Sequence, residues 1–260
     1  MKKLFQFFVL SISFFCVFAG KGVTQQREYI ELSVYHAGDT TQLRQLNNFL
    51  QNAYVPALHK SGIDRVGVFT VIGNDTAADK KFYVVVPYSS LKQKETINKK
   101  IEKDVAYQNA AGDFISAPHD KAPYKRFERI FLKAFEFMPK IEKSGLTGSK
   151  GNRVYELRSY ESATEKIFKN KVRMFNQGGE IALFQRLGFN AIFYGEVIFG
   201  SKMPNLMYMT SFENKAARDE HWKTFGNDPE WKKLSSLPEY QNNVSKIEIV
   251  YLTPADYSDL

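Results

Sequence analysis

The sequence has 260 residues, of which 43% are apolar and 25% charged, a composition that excludes bulk disorder and suits one large domain or two small ones. Its formal net charge of +8 favours contact with anionic surfaces, but no nucleic-acid-binding motif accompanies that charge. Its single cysteine, Cys16, excludes a disulfide framework and a thiolate metal site.

The first 19 residues have the pattern of a secretory signal peptide. "MKK" supplies a positive start, Leu4–Ala19 is apolar and uncharged, and Val17-Phe18-Ala19 fits the small-x-small rule for cleavage. We therefore expect cleavage near Ala19 and export, either to the periplasm or out of the cell. The alternative is a retained anchor, for which the apolar run is short, because a membrane span needs about 20 residues.

The next segment, residues 28–138, alternates strand patterns with helix patterns. Its first helix has an i, i+3, i+4 apolar stripe that includes Leu43, Leu46 and Leu50, and Gly62 stands where a helix C-cap is expected. In chain order we predict a strand at Glu31–Tyr35, a helix at about 39–60, a hairpin of Gly67–Gly73 and Phe82–Tyr88, a helix around Ile97 and Ile101, and a strand at Phe127–Phe135.

A linker and a second copy of the same pattern follow. Residues 139–152 ("PKIEKSGLTGSKGN") have the Gly, Ser and Lys content of a linker. From 153 to 254, successive blocks match the first half at offsets of 124 to 127 residues, beginning with "ELSVY" at Glu31 and "ELRSY" at Glu156. Such a persistent offset indicates an internal repeat. In the second copy, Gly178-Gly179 is expected to break or kink the first helix.

Each half has the element order β-α-β-β-α-β, which is the ferredoxin-like unit. This unit packs its helices on one face of a four-stranded sheet and leaves the other face bare. Two units in one chain bury both bare faces when the sheets are placed against each other. We therefore predict an α+β protein in which two tandem ferredoxin-like repeats pair their sheets into a single-chain, pseudo-dimeric α/β barrel.

The second half resembles a known family. "VYELRSY", "GEVIFG", "MYMTSFEN" and "HWKTFGNDPEW" are similar, in this order, to the NIPSNAP domain of the dimeric α/β-barrel superfamily, over roughly Arg153 to Thr253. The first half resembles it less, because Ser33 stands where the second half has Arg158. The resemblance implies the barrel fold. It implies no agreed reaction and no catalytic residue, and a fold by itself does not define a function.

Strand alternation places polar side chains together on one face of each first strand. We expect the apolar alternates, such as Leu157, to pack on helices, and the polar ones to line the lumen between the sheets. There Arg158 would hold an anionic or carbonyl group and Tyr160 would donate or accept a hydrogen bond. The alternative is a self-satisfied Glu–Arg–Tyr network that joins the sheets. The candidate ligand-binding residues are Glu156, Arg158, Tyr160, Glu31 and Tyr35.

Three functions are compatible with these patterns. The leading hypothesis is an exported NIPSNAP-like protein that binds a small, mostly apolar molecule between its two sheets. The second is a cofactor-independent oxygenase or isomerase in which Arg158 and Tyr160 stabilise an oxyanion. The third is an interaction module that uses a basic surface such as Lys92–Lys103.

The expected partners follow from the same patterns. A weak association with an anionic membrane surface and a homodimer are both compatible with the sequence, and no nucleic acid is expected. No His and carboxylate pair has metal-ligand spacing, so we expect no metal and no cofactor. Of the histidines, His36 and His59 end a strand and a helix, where surface positions are expected, and His119 lies in a Pro-flanked loop.

Overall fold

The computed structural model describes residues 25–260, so the expected signal peptide, 1–19, lies outside the described residues. The strands are β1 (Tyr29–Ala37), β2 (Gly67–Val71), β3 (Lys80–Tyr88), β4 (Arg126–Ala134), β5 (Val154–Glu161), β6 (Asn190–Phe199), β7 (Asn205–Phe212) and β8 (Lys246–Pro254). The helices are α1 (Thr40–Phe49), α2 (Val55–Lys60), α3 (Leu91–Glu102), α4 (Val105–Ile115), α5 (Glu165–Phe175), α6 (Glu180–Arg186), α7 (Lys215–Asn227) and α8 (Pro229–Ser236).

The eight strands form one closed antiparallel barrel in the order β1-β3-β2-β8-β5-β7-β6-β4. Each half contributes four neighbouring strands with the same internal order, β4-β1-β3-β2 and β8-β5-β7-β6. The registers also correspond, because Tyr35 pairs with Phe82 as Tyr160 pairs with Leu206. The predicted fold, two ferredoxin-like halves that pair their sheets into one pseudo-dimeric barrel, is confirmed.

Short polar side chains and glycines fix where the helices begin and end. Asp228 accepts hydrogen bonds from the backbone N–H groups of Glu230 and Trp231 at the start of α8, with Pro229 in the first turn. Gly62 follows α2 with φ +94°, a left-handed conformation that favours glycine. Gly179 has φ +91° between α5 and α6, so the expected break at Gly178-Gly179 is confirmed.

One departure from regular helix lies between α1 and α2. Residues Leu50–Tyr54 form a π-helical turn, so the predicted helix at 39–60 is continuous but not uniform. A π turn inserts one extra residue into a helix. It brings Tyr54 into the apolar layer between these helices and the first sheet. None of the helices within residues 25–260 has the length and apolarity that crossing a membrane requires.

The core has three apolar layers, and their positions correct one expectation. Side chains from all eight strands point into the lumen, among them Ile30, Leu32, Tyr155 and Leu157. A second layer lies between the first sheet and α1–α4, and a third between the second sheet and α5–α8. Leu157 therefore faces the lumen, not the helices. The prediction that the polar alternates line the lumen is wrong.

The correction has a physical reason. Both faces of each strand are buried, on one side by the opposite sheet and on the other by helices, so alternation alone does not identify the lumen face. The interior of a closed eight-stranded barrel is just wide enough for side chains to fill it or for one small ligand, and burial there favours the apolar set inside. The polar set, which includes Tyr35 and Tyr160, faces the helices, whose polar side chains can pair with it.

The lumen is closed at one end by segments outside the sheet. Ile141, from the chain between β4 and β5, and Leu260 are both buried in the lumen layer. Arg65 Nη2 donates to Glu28 Oε1 at 2.6 Å, and Glu28 Oε2 accepts the backbone N–H of Ile141 at 2.9 Å. These contacts hold the linker across the barrel, so the opposite end is the one at which a cavity can open.

Candidate functional site

A cavity of about 270 Å³ lies inside the open end of the barrel. It sits between the two sheets, and both halves of the chain contribute to it. Its inner wall is apolar and is built from alternate side chains of neighbouring strands, which bring their lumen-facing residues to the same depth. The apolar wall residues are Leu32, Val34, Ile130, Leu157, Met207 and Val250.

Charged side chains border the cavity where it opens. His36 Nδ1 lies 2.9 Å from Asp79 Oδ2, and His36 Nε2 lies 3.0 Å from Glu128 Oε1. From the second half, Glu248 pairs with Lys202. Because the charges are paired, the rim does not present one sign of charge to an entering molecule. His36, expected at the surface, lies at this opening with a partly buried side chain, 15% exposed.

Three hydroxyl-bearing residues line the cavity: Tyr83, Ser159 and Ser201. Tyr83, from β3, is 7% exposed and lines the cavity. Burial, together with the negative charges of Glu128, Asp79 and Glu248, raises the pKa of Tyr83 to about 12. Ser159, from β5, lines the wall formed by the second half, and its Oγ lies 2.9 Å from Asn205 Nδ2. The cavity therefore combines an apolar inner wall with polar and charged side chains toward its opening, and small-molecule sites commonly pair an apolar surface with fixed polar groups.

The residues predicted from the sequence lie elsewhere, in the layer between the second sheet and its helices. The carboxylate of Glu156, which is fully buried, accepts four hydrogen bonds. Arg158 Nε donates at 2.6 Å, Arg218 Nε and Nη2 donate at 2.7 and 2.8 Å, and Trp222 Nε1 donates at 2.8 Å. Burial opposes the ionisation of Glu156, but the hydrogen bonds and charges of Arg218 and Arg158 outweigh it and lower its pKa.

Arg158 and Tyr160 also make hydrogen bonds and packing contacts with neighbouring side chains. Arg158 Nη1 donates to the Tyr160 hydroxyl at 3.1 Å, and the guanidinium carbon lies 3.6 Å from the centre of the Trp222 ring. The hydroxyls of Tyr160 and Tyr208 are 2.8 Å apart. Burial and the neighbouring Tyr160 raise the pKa of Tyr208 well above its ordinary value. Arg158 therefore makes its contacts to other side chains of the protein, with Glu156, Tyr160 and Trp222. This is the arrangement of a structural network.

Glu31 and Tyr35 occupy the equivalent layer of the first half and do not meet the second-half set. Glu31, 1% exposed, lies 2.8 Å from Arg129 Nε and 3.2 Å from Lys94 Nζ. Tyr35 packs on Phe127, with ring centres 4.5 Å apart. Each half thus has a buried carboxylate with two cationic partners. Lys94 on α3 and Arg218 on α7 are equivalent in the repeat, since each lies four residues after the N-cap of its helix, whereas Arg129 and Arg158 come from different strands.

Sequence reasoning missed the residues that line the cavity. The last strand of each half carries one glutamate on its lumen face: Glu128 pairs with Val34 on β1, and Glu248 pairs with Ser159 on β5. These two glutamates occupy equivalent positions in the repeat and interrupt the otherwise apolar lumen face. The strand pairing shows this equivalence, whereas the sequence did not, because the two glutamates are 120 residues apart and fall outside the offset of 124 to 127 shared by the earlier blocks.

Comparison with solved structures agrees with this architecture. A candidate monooxygenase from Lactobacillus acidophilus NCFM superposes with a TM-score of 0.56 at 11% identity, over 88% of this chain and 94% of its own. A second candidate monooxygenase, from Fusobacterium nucleatum, gives 0.55 at 8% identity, over 88% and 93%. These likenesses define the class of fold: this protein has the α/β-barrel fold, with both barrel halves in one chain.

The family follows from the sequence of the second half. The NIPSNAP family profile matches residues 155–259, so the second half of this chain is a NIPSNAP domain. A NIPSNAP family protein from Agrobacterium tumefaciens C58 aligns at 21% identity over 42% of this chain and 99% of its own, with a TM-score of 0.37. No curated protein sequence matches the chain significantly.

Proposed function

We propose that this is an exported protein that binds a small, mostly apolar molecule between its two sheets, at the open end of the barrel. The observation that carries the proposal is the cavity of about 270 Å³ with an apolar wall contributed by both halves. A void of this kind forfeits packing contacts that a well-packed core would make. A bound apolar molecule would restore them.

The volume limits the ligand. At roughly 30 Å³ per water molecule the cavity holds about nine waters, which corresponds to one ring with a short substituent. Such a molecule buries roughly 200 Å², worth about 5 kcal/mol at about 25 cal/mol per Å². After the losses that accompany binding, we expect a Kd no tighter than about 0.1 mM.

The test is a titration with ethylbenzene, followed by the backbone amide signals of the labelled protein. We expect saturable shifts at β1, β3, β5 and β8 near the open end. Val250→Trp fills the cavity from its wall and should abolish these shifts. Ile249→Trp is the matched control. Ile249 precedes Val250 on β8 and lies on the outer face of the barrel, 40% exposed. Binding that survives Val250→Trp would refute the proposed site.

An oxygenase or isomerase that uses Arg158 and Tyr160 is less well supported. Two structural neighbours are candidate monooxygenases, but identities of 8% and 11% relate the folds alone. Arg158 and Tyr160 already bond to each other and to neighbouring side chains, whereas the wall residues of the lumen cavity are free to contact a ligand. The geometry therefore favours binding over this form of catalysis.

Export is the remaining part of the proposal, and it rests on the pattern of the first 19 residues. We expect the mature protein to begin at Gly20, which intact-mass measurement of the protein from its native host would establish. A mass that retains Met1–Ala19 would contradict cleavage. Homodimer formation and association with an anionic membrane surface stay predictions from the sequence.

A further inference from the structure

The lumen cavity offers a proton donor beside its apolar inner wall. The Tyr83 hydroxyl belongs to a residue that is 7% exposed and lines the cavity. Among residues 25–260 it has no hydrogen-bond partner, yet it is not sealed off from the cavity space, unlike the hydroxyl of Tyr155 deeper in the lumen. A buried phenol without a partner gains most from a ligand that supplies an acceptor.

The charge state of this phenol is fixed by its surroundings. Burial, and then the carboxylates of Glu128, Asp79 and Glu248, keep its pKa near 12, so at neutral pH it carries its proton and donates. Although His36, Lys81 and Lys202 pair with these carboxylates and balance the charge of the rim as a whole, the charges that act on the Tyr83 hydroxyl itself are negative. An anionic group placed next to the hydroxyl is therefore disfavoured, since like charges repel more strongly in a partly buried site than in water. A neutral acceptor satisfies the phenol without that repulsion.

Only the first half of the repeat supplies a phenol hydroxyl at this position of the cavity. Tyr83 pairs with Val34 on β1, and the equivalent pair in the second half is Met207 with Ser159 on β5. A phenol therefore faces the cavity from the first half where a thioether does so from the second. A ligand with one polar atom would bind in one orientation, with that atom toward β3.

We propose that the lumen site selects neutral molecules that combine an apolar ring with an acceptor oxygen, such as a ketone or an ester, and that the Tyr83 hydroxyl donates to that oxygen. This inference rests on the proposed binding function and adds the chemical class of the ligand. Ser159 and its partner Asn205 form the polar part of the opposite wall, where they suit a second, weaker polar contact but do not set the selection.

The test compares three probes of one size: acetophenone, ethylbenzene and benzoate. We expect acetophenone to bind roughly three- to tenfold more tightly than ethylbenzene, the gain of one net hydrogen bond, and benzoate to bind more weakly than either. Tyr83→Phe should remove the preference for acetophenone and leave the affinity for ethylbenzene unchanged. Tyr155→Phe is the matched control, because it removes a lumen hydroxyl that lies outside the cavity wall.

The possible failures are distinguishable. If ethylbenzene and acetophenone bind equally, or if the preference survives Tyr83→Phe, the inference about the ligand class is wrong while the lumen site stands. If none of the three probes shifts the signals of the cavity wall, the proposed binding function itself fails. A preference for benzoate would overturn the argument from the carboxylates around Tyr83.

Discussion

At the scale of single residues, Glu156 belongs to a strand motif that suggested a ligand pocket in the sequence. In the structure its contacts stabilise the packing of β5 against the helices. Its carboxylate is fully buried and accepts hydrogen bonds from Arg158, Arg218 and Trp222. The sequence placed Glu156, Arg158 and Tyr160 on one face of β5 correctly. It could not identify Arg218 and Trp222 as partners, because they lie about sixty residues away, on α7, and only the packed fold brings them to β5.

Glu156→Gln should destabilise the protein by about 3–5 kcal/mol, because two partly buried arginines lose their counter-charge. Urea unfolding at pH 7 measures this directly. Glu220→Gln is the matched control: Glu220 lies on α7 with a side chain 68% exposed, so its loss should change stability by no more than about 0.5 kcal/mol. A cost for Glu156→Gln as small as that of the control would contradict the buried network.

The pH dependence of this effect has a definite sign. The pKa of Glu156 is lowered in the folded protein, so its ionised form stabilises the fold above the unfolded pKa of about 4.3. That contribution is lost as the pH falls through the folded pKa. The difference in unfolding free energy between the wild type and Glu156→Gln should therefore shrink in acid. A difference that stays constant down to about pH 2 would show that ionisation of Glu156 is not its source.

At the scale of elements, the interruption between α5 and α6 was predictable but its consequence was not. Gly178 and Gly179 mark the break in the sequence, and Gly179 takes the left-handed conformation there. The break lets Lys171 on α5 reach Glu180 on α6, with Nζ 2.8 Å from Oε2 and both side chains buried. Helical periodicity finds the helices, but it does not show which charges meet across a bend.

Lys171→Met should be strongly destabilising, by about 3–5 kcal/mol, because it leaves the Glu180 carboxylate buried without a cation. Burial already raises the pKa of Glu180 despite Lys171 and Arg158, so the variant should regain stability as the pH falls and Glu180 takes up a proton. Lys169→Met, an exposed position of the same helix, is the control.

The double variant Lys171→Met, Glu180→Leu removes both buried charges together. It should recover most of the stability lost in Lys171→Met, since an apolar pair of similar volume often replaces a buried ion pair without loss. Additive costs in the double variant, measured by the same unfolding experiment, would mean that the two side chains do not act as a pair.

At the scale of the whole molecule, the internal repeat carried the prediction of the fold. Offsets between "ELSVY" and "ELRSY" and the blocks that follow them were enough to predict two ferredoxin-like halves and a closed barrel, and the strand order confirms both. The repeat did not reveal which face of each strand turns inward. Leu32 and Leu157 point into the lumen, and the cavity lies beside them, where the sequence shows only ordinary apolar positions.

The cavity exists because one end of the barrel is closed by other segments of the chain and the opposite end is open. Ile141 and Leu260 close one end, whereas no described segment fills the other end to the same depth, and His36 and Glu248 border the opening there. This difference arises from the linker and from the chain after β8, which are not part of the repeat. A repeat-based prediction therefore gives the barrel but not its single open end.

The central claim is that the functional site lies between the two sheets and not between a sheet and its helices. The most direct measurement is a crystal structure of the protein soaked with ethylbenzene. We predict ligand density in the lumen cavity, in contact with Leu32, Leu157 and Val250. Density beside Arg158 and Trp222 in the helix-facing layer, with an empty lumen, would contradict the account.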